Sequence, residues 1–417
     1  MVRTVTKPHL IRLHTMNKTI ISFAIIAFFS IAIVAQNNQK TITGRVLDKE
    51  NNKAISLASI YLKGQAIGTV SNEDGEFIFH VSDVDQSNIV VISCLGYQSI
   101  ERKIDDFVTH QNIVLSAEIS NLNEVVITAT KKKQLTAKEI VKKAYKQIPN
   151  NYPNTPYILE GYIRDLQKED DNYVEYLECA AKFLYQGYKT QREPQVELLE
   201  VKTNYLAEKH PWNAQWERKN SIMDLIEDDF IRFDYGPIKG KNGWKYDLES
   251  IVPYSNGLVY KITGVDKPFQ NAVLFIDTET FAFVKIELTR KAKNKKSWRR
   301  RFTNGAHQMF YNLVLEYQEY NGKMFLKYQK EEDTWKIFKG LESNKLLFTQ
   351  YPKKELFINN IIVDEVKNHP FTRNMDIGSS IENQAKDYNA AFWSSYNIPK
   401  QTEKESKIIL ELKNRIK

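Results

Sequence analysis

Four carboxylates, Asp224, Glu227, Asp228 and Asp229, crowd the stretch SIMDLIEDDF. Acids at this density hold a hard cation only where further oxygen ligands and a tight turn complete the loop. No His, Asn or Gly pattern does so here, and a solvated helix face is the expectation. A hydrolytic zinc site draws His and Glu ligands from a short spacing plus a distant His. Neither His110 nor His307 is followed by Glu at a suitable offset, and His80, His210 and His369 stand alone. Cys94 and Cys179 are the only cysteines, which excludes a disulfide framework and reads as two buried thiols. No GxSxG elbow, Walker A loop or GxGxxG fingerprint occurs. The expectation is no enzyme, no metal and no cofactor.

One basic stretch stands out. Lys291, Lys293, Lys295, Lys296, Arg299, Arg300 and Arg301 surround Trp298 with no acid between them. Such a loop suits anionic lipid headgroups or acidic glycans. The plainer alternative is a solvated strand extension, because strand edges commonly carry Lys and Arg. The whole chain has net charge +8, but four of its 59 cations lie in the first 35 residues, leaving 55 against 51 acids. A surplus of +4 is too mild to argue for nucleic acid.

The elements that must position these side chains follow from hydrophobic period. Between Thr41 and Ala129, short apolar runs are separated by Gly, Asn and Asp clusters, the pattern of half-buried strands joined by tight turns. Ile42, Gly44 and Val46 alternate; Ala58, Ile60 and Leu62 share a face, as do Phe77, Phe79 and Val81; Ile89 to Leu95 is nearly continuous and reads as buried on both sides. Asp74-Gly75 predicts a hairpin turn. The fold class is mainly β: an N-terminal seven-stranded Greek-key β-sandwich followed by a larger antiparallel-sheet domain with a few helices.

The opening GRVLD, Ala58 to Gly64, Gly68-Thr69 followed by SNEDGEF, SCLGYQS from Ser93, and LNEVVITA from Leu122 resemble the carboxypeptidase regulatory-like domain. This is a transthyretin-like sandwich abundant in Bacteroidota, and the resemblance covers less than a quarter of the chain. It implies a docking module without peptidase activity. The same module precedes the plug of many TonB-dependent receptors, but nothing after Thr130 looks like a plug.

Met1 to Ala35 carries Arg3, Lys7, Arg12 and Lys18, no acid, and an apolar run from Ile20, which predicts a secretory signal peptide over residues 1–35. Its alternative is an uncleaved anchor, for which the run is barely long enough. Residues 41–129 hold 6 cations and 12 acids, whereas 130–417 hold 48 and 39, so a boundary falls near a solvated linker at 130–135. The β-rich domain is expected over 136–400 and a charged amphipathic tail over 401–417. Thr136 and Glu139 have capping-box spacing before a helix that Pro149 should stop. A second helix is expected over Ser221 to Phe230 and a third near Ile381 to Trp393. Long strands are predicted over Tyr157 to Leu166, Tyr173 to Tyr188 and Val196 to Ala207, with hairpins at Asp277 to Thr280 and Asn321-Gly322.

The run VYKITGV followed by the hairpin LFIDTETFAFVKIEL is similar to the half-barrel of periplasmic lipoprotein carriers, whose curved sheet wraps an apolar cavity. DYNAAFWSSYNIP, Asp387 to Pro399, is similar to endings of Bacteroidota proteins that carry the N-terminal module. The expectation is a non-catalytic exported envelope protein, periplasmic or peripherally associated with the outer membrane. Its sandwich docks on an envelope partner, and its tyrosine- and phenylalanine-rich sheet binds an apolar or amphipathic lipid or glycan ligand with Lys291 to Arg301 at the rim. The alternative is an outer-membrane β-barrel or a component related to TonB-dependent receptors.

Overall fold

Alternating burial along the first seven strands builds two small sheets. In one, β1 (Lys40–Asp48) lies between β4 (Glu76–Val81) and β7 (Gln111–Leu115) and runs parallel to β7. In the other the order is β3-β2-β5-β6, from β2 (Ser59–Leu62), β3 (Gly68–Val70), β5 (Ile89–Ser93) and β6 (Ile100–Lys103). Val46, Ala58, Ile60, Phe77, Phe79, Val90 and Ile92 have no exposure and form the sandwich core. Gly75 has φ +76°, and a Cβ there would meet the Val46 carbonyl oxygen at 2.5 Å. The Asn72 side-chain oxygen accepts from the N–H groups of Asp74 and Glu76. The turn is therefore where the spacing predicts it, but β3 and β4 belong to different sheets. It passes the chain across the sandwich instead of closing a hairpin.

This computed structural model describes residues 40–82, 88–108, 110–117, 135–190, 193–202, 221–240, 243–255, 257–267, 269–292, 305–339, 345–364, 366–385 and 388–415. The predicted signal peptide, the LNEVVITA segment and most of the predicted linker lie outside them. Among the described residues, those of 41–80 and 88–415 form one compact unit.

Ten strands form one antiparallel sheet in the order β10-β9-β8-β17-β16-β15-β14-β13-β12-β11. They are β8 (Tyr157–Glu169), β9 (Asn172–Tyr185), β10 (Gln195–Lys202), β11 (Lys245–Tyr254), β12 (Gly257–Lys267), β13 (Gln270–Asp277), β14 (Phe283–Lys291), β15 (Ala306–Tyr320), β16 (Lys323–Phe338) and β17 (Leu346–Ile362). Two meanders are joined by the pairing of β17 with β8. Both predicted hairpins form: Asp277 accepts from the backbone of Glu279 and Thr280, and Asn321 and Gly322 adopt φ +49° and +71°.

Helix α1 (Ala137–Asn151) has both arms of the capping box between Thr136 and Glu139. Pro149 does not stop it. A proline costs one intrahelical hydrogen bond, and here that loss falls in the last turn. Just beyond, the buried Tyr152 donates its hydroxyl to the Phe283 carbonyl at 2.8 Å, which anchors the exit. Ala137, Ile140, Val141 and Ala144 pack with Val259, Ile262, Leu274 and Ile286 on one face of the sheet. The helix expected over 221–230 is two: α2 (Ser221–Glu227) and α3 (Phe230–Phe233), the latter capped by Asp229. Both add their apolar side chains to that same face.

Residues alternating with these point to the opposite face, which the sandwich and the C-terminal segment cover. Val70 and Leu57 pack with Tyr162, Tyr328, Phe357 and Trp393. The predicted third helix is a short 3-10 turn at Glu382–Gln384 followed by α4 (Ala390–Ser395). Asn397 then accepts from the His80 N–H at 2.8 Å and donates to the His80 carbonyl at 2.9 Å, and Lys400 pairs with Glu76. From Glu403 to Arg415 the charged C-terminal stretch is helix α5, which buries Ile408, Ile409 and Leu412 against Tyr176. Arg164 sits between Glu355, at 2.6 Å, and Glu405 of that helix.

Candidate functional site

The aromatic side chains expected to line a ligand cleft are mostly consumed inside the helix-covered face. Tyr157, Tyr185 and Tyr188 enclose Arg232, which is 1% exposed. Its guanidinium lies 3.8 Å from the Tyr185 ring centre and 4.5 Å from that of Tyr188, and it donates to the Tyr157 hydroxyl and the Gly187 carbonyl. Tyr317 stacks edge-on against Tyr152 and donates to Asp229 at 2.7 Å. A buried cation needs such compensation, because an unpaired charge at this depth costs several kcal/mol.

The acidic stretch is corrected in the same way. Only Glu227 is exposed, while Asp229 is 5% exposed. Asp228 accepts from Tyr235 and Tyr311, each at 2.8 Å, and Asp224 pairs with Lys354 of β17. The helix turns its acids inward because the strands beneath offer hydroxyls and a lysine. Glu331 and Asp333 of β16 join this cluster, and Gln308 donates to Asp333. Burial, with the neighbouring acids, pushes the Glu331 carboxyl up, and burial likewise raises Asp228, Asp229 and Asp333. Among the described residues no group of His, Cys, Asp or Glu is arranged to hold a metal ion.

Of the predicted basic rim, Lys291 ends β14 opposite Phe310 of β15. Lys293, Lys295, Lys296, Trp298, Arg299, Arg300 and Arg301 lie outside the described residues. The Lys291 N–H donates to the Phe269 carbonyl at 2.9 Å. There Phe269 and Val265 are 38% and 45% exposed, so apolar surface adjoins the strand end at Lys291.

A second place was not foreseen from the sequence. Between the β2–β5 face of the sandwich and the tips of the β11–β12 and β15–β16 hairpins lies a crevice of about 400 Å³, joined by shared lining residues to a smaller one of about 140 Å³. Its floor is an ion network. Lys285 contacts Glu316 at 3.0 Å and Glu287 at 2.9 Å, while Lys327 lies 3.6 Å from Glu316 and donates to Ser59. Burial alone would raise the Glu316 carboxyl, but the two lysines outweigh it and hold it below the usual range. At the mouth Lys63 pairs with Glu101 at 2.7 Å. Cys94 lines the smaller part, where burial pushes its thiol up to about 11, so it stays protonated and unreactive at neutral pH. Cys179 is fully buried. The signal that could have found this crevice is the polar series Ser59, Tyr61 and Lys63, which alternates with the core residues of β2; only the facing hairpins give it meaning.

Residues 42–127 match the family model of the CarboxypepD_reg-like domain, so the N-terminal part of the chain carries that module. No curated protein matches the chain. Among solved structures it is similar to a LolA superfamily protein from Nitrosomonas europaea, at 12% identity and TM-score 0.23, covering 58% of this chain and 99% of that one. It is also similar to a DUF1329 family protein from Desulfovibrio piger, at 8% identity and TM-score 0.24, covering 55% and 95%. The MucA/MucB complex from Pseudomonas aeruginosa is a further likeness, at 7% identity and TM-score 0.17, covering 53% and 93%.

Proposed function

We propose that this chain is a non-catalytic, exported envelope protein that contacts an anionic membrane surface at the sheet edge marked by Lys291. The observation that carries the reading is the exposure of Phe269 and Val265 beside Lys291, the strand end at which the seven-cation run begins in sequence. Near an anionic leaflet each Lys or Arg contributes about 1 kcal/mol, so the run supplies several kcal/mol before any apolar contact. The helix-covered face is filled by α1, α2, α3 and the tyrosines around Arg232, which favours surface contact over enclosure of an acyl chain. The barrel alternative is disfavoured, because β10 and β11 end the sheet and the sandwich occupies one of its faces. Among the described residues no helix is long and apolar enough to cross a membrane. Export rests on the acid-free leader, and a periplasmic place at the outer membrane fits the envelope module.

Vesicle co-sedimentation tests the reading. The chain should bind vesicles containing phosphatidylglycerol, not pure phosphatidylcholine, and release as salt rises. Phe269→Ser should weaken binding. Failure to bind anionic vesicles, or binding unaltered when the seven cations become serine, would remove the proposal.

A further inference from the structure

We propose that the crevice between the sandwich and the two hairpin tips is a binding site for a neutral saccharide. Its size falls within the roughly 300–1,000 Å³ of small-ligand clefts, at about 400 Å³ for the main part. Hydroxyls from Ser59, Ser93 and Ser255 and the amides of Gln65, Gln318 and Asn321 offer donors and acceptors together. Tyr61, Tyr254 and Tyr320 add flat aromatic surface with polar tips. A sugar presents this combination in mirror form: a ring of hydroxyls and a face of C–H groups.

Charge decides against ionic ligands. Three lysines line the two parts (Lys63, Lys285, Lys327) and so do three glutamates (Glu101, Glu316, Glu319). An unpaired charge about 4 Å from an anion would be worth roughly 4 kcal/mol near a protein surface, but each of these lysines already has a glutamate within 4 Å. A phosphate or carboxylate would have to displace those partners. An acyl chain would cover the serine hydroxyls and the lysine–glutamate pairs without offering them hydrogen-bond partners. A peptide strand cannot add to β2, which is paired on both sides, by β3 and by β5. What remains rewarded is a neutral ligand with many hydroxyls. This site is separate from the Lys291 edge, and neither test bears on the other.

Saturation-transfer NMR and titration of the full chain with maltotriose, N-acetylchitotriose, oligogalacturonate and trialanine test it. One of the two neutral sugars should bind saturably and more tightly than the other probes. Tyr61→Ala and Gln318→Ala should each weaken that binding at least about tenfold. Gln318 is partly solvent-facing, so its variant should keep the parent thermal midpoint and separate lost binding from lost folding. Silence from both neutral sugars, tighter binding of oligogalacturonate or trialanine, or affinity unaltered by both substitutions would each overturn the proposal.

Discussion

Replacing Glu355 by glutamine should cost about 3 kcal/mol at neutral pH, and the cost should vanish in acid. Glu355 is 4% exposed and accepts from Arg164 and from the Tyr328 hydroxyl. Burial alone would raise its carboxyl, but Arg164, then Lys353, outweigh burial and bring it from 4.5 down to about 2. At ~1.36 kcal/mol per pH unit that depression is worth about 3 kcal/mol, in line with the ~3–5 kcal/mol lost when one partner of a buried pair is removed. The sign follows from the depression. The folded state holds the carboxylate more strongly than the unfolded state, so the stabilisation is complete above 4.5 and disappears as pH falls toward 2. Urea unfolding followed by intrinsic fluorescence, repeated from neutral to acid pH, measures the gap between parent and Glu355→Gln. A gap that stays constant with pH, or one below about 1 kcal/mol at neutrality, would refute the reasoning. Arg164 keeps Glu405 in the variant. A double-mutant cycle with Glu405→Gln therefore reports how far the two carboxylates depend on each other through the arginine they share.

Asn397→Ala removes two hydrogen bonds to the His80 backbone and should cost about 1–3 kcal/mol; hydrogen exchange should quicken in β4 more than in β13, and equal protection would count against the clamp. Glu331→Gln should stabilise the protein more at about pH 8 than at about pH 5. The folded-state carboxyl is raised by burial and by its acidic neighbours, so parent stability falls as pH rises past the unfolded value, and glutamine lacks that term. A thermal-midpoint difference that is the same at both pH values would contradict the cluster's assignment.

Much of the fold is written in local pattern. The core of the sandwich follows from alternation at Ile60, Phe77 and Phe79, and the Asn321-Gly322 hairpin from backbone chemistry that few residue pairs tolerate. Pairing partners are not local. Nothing between Asn72 and Gly75 indicates that β3 and β4 enter different sheets, because the turn is the same for either outcome. Pro149 misleads for a related reason: its penalty is small at the last turn, and the anchor that settles the exit, Tyr152 on Phe283, spans more than a hundred residues. The inward turn of Asp224, Asp228 and Asp229 depends on Tyr235, Tyr311, Tyr317 and Lys354, which composition cannot place beneath that helix.

The surplus of tyrosine is where composition and geometry diverge most, and it shifts where a ligand can go. Aromatic residues beyond the needs of one core suggest an open cleft, yet this sheet has two covered faces and a buried arginine to satisfy. Tyr157, Tyr185, Tyr188 and Tyr317 are therefore structural. The tyrosines left with polar company and free volume, Tyr61, Tyr254 and Tyr320, are those at the crevice. The segment DYNAAFWSSYNIP has the same logic: Trp393 and Tyr396 pack where the sandwich meets the sheet, and Asn397 bonds the His80 backbone. Fixing the sandwich in this way holds the β2–β5 face opposite the hairpin tips. Binding at that junction therefore depends on a contact made more than three hundred residues along the chain from the sandwich itself.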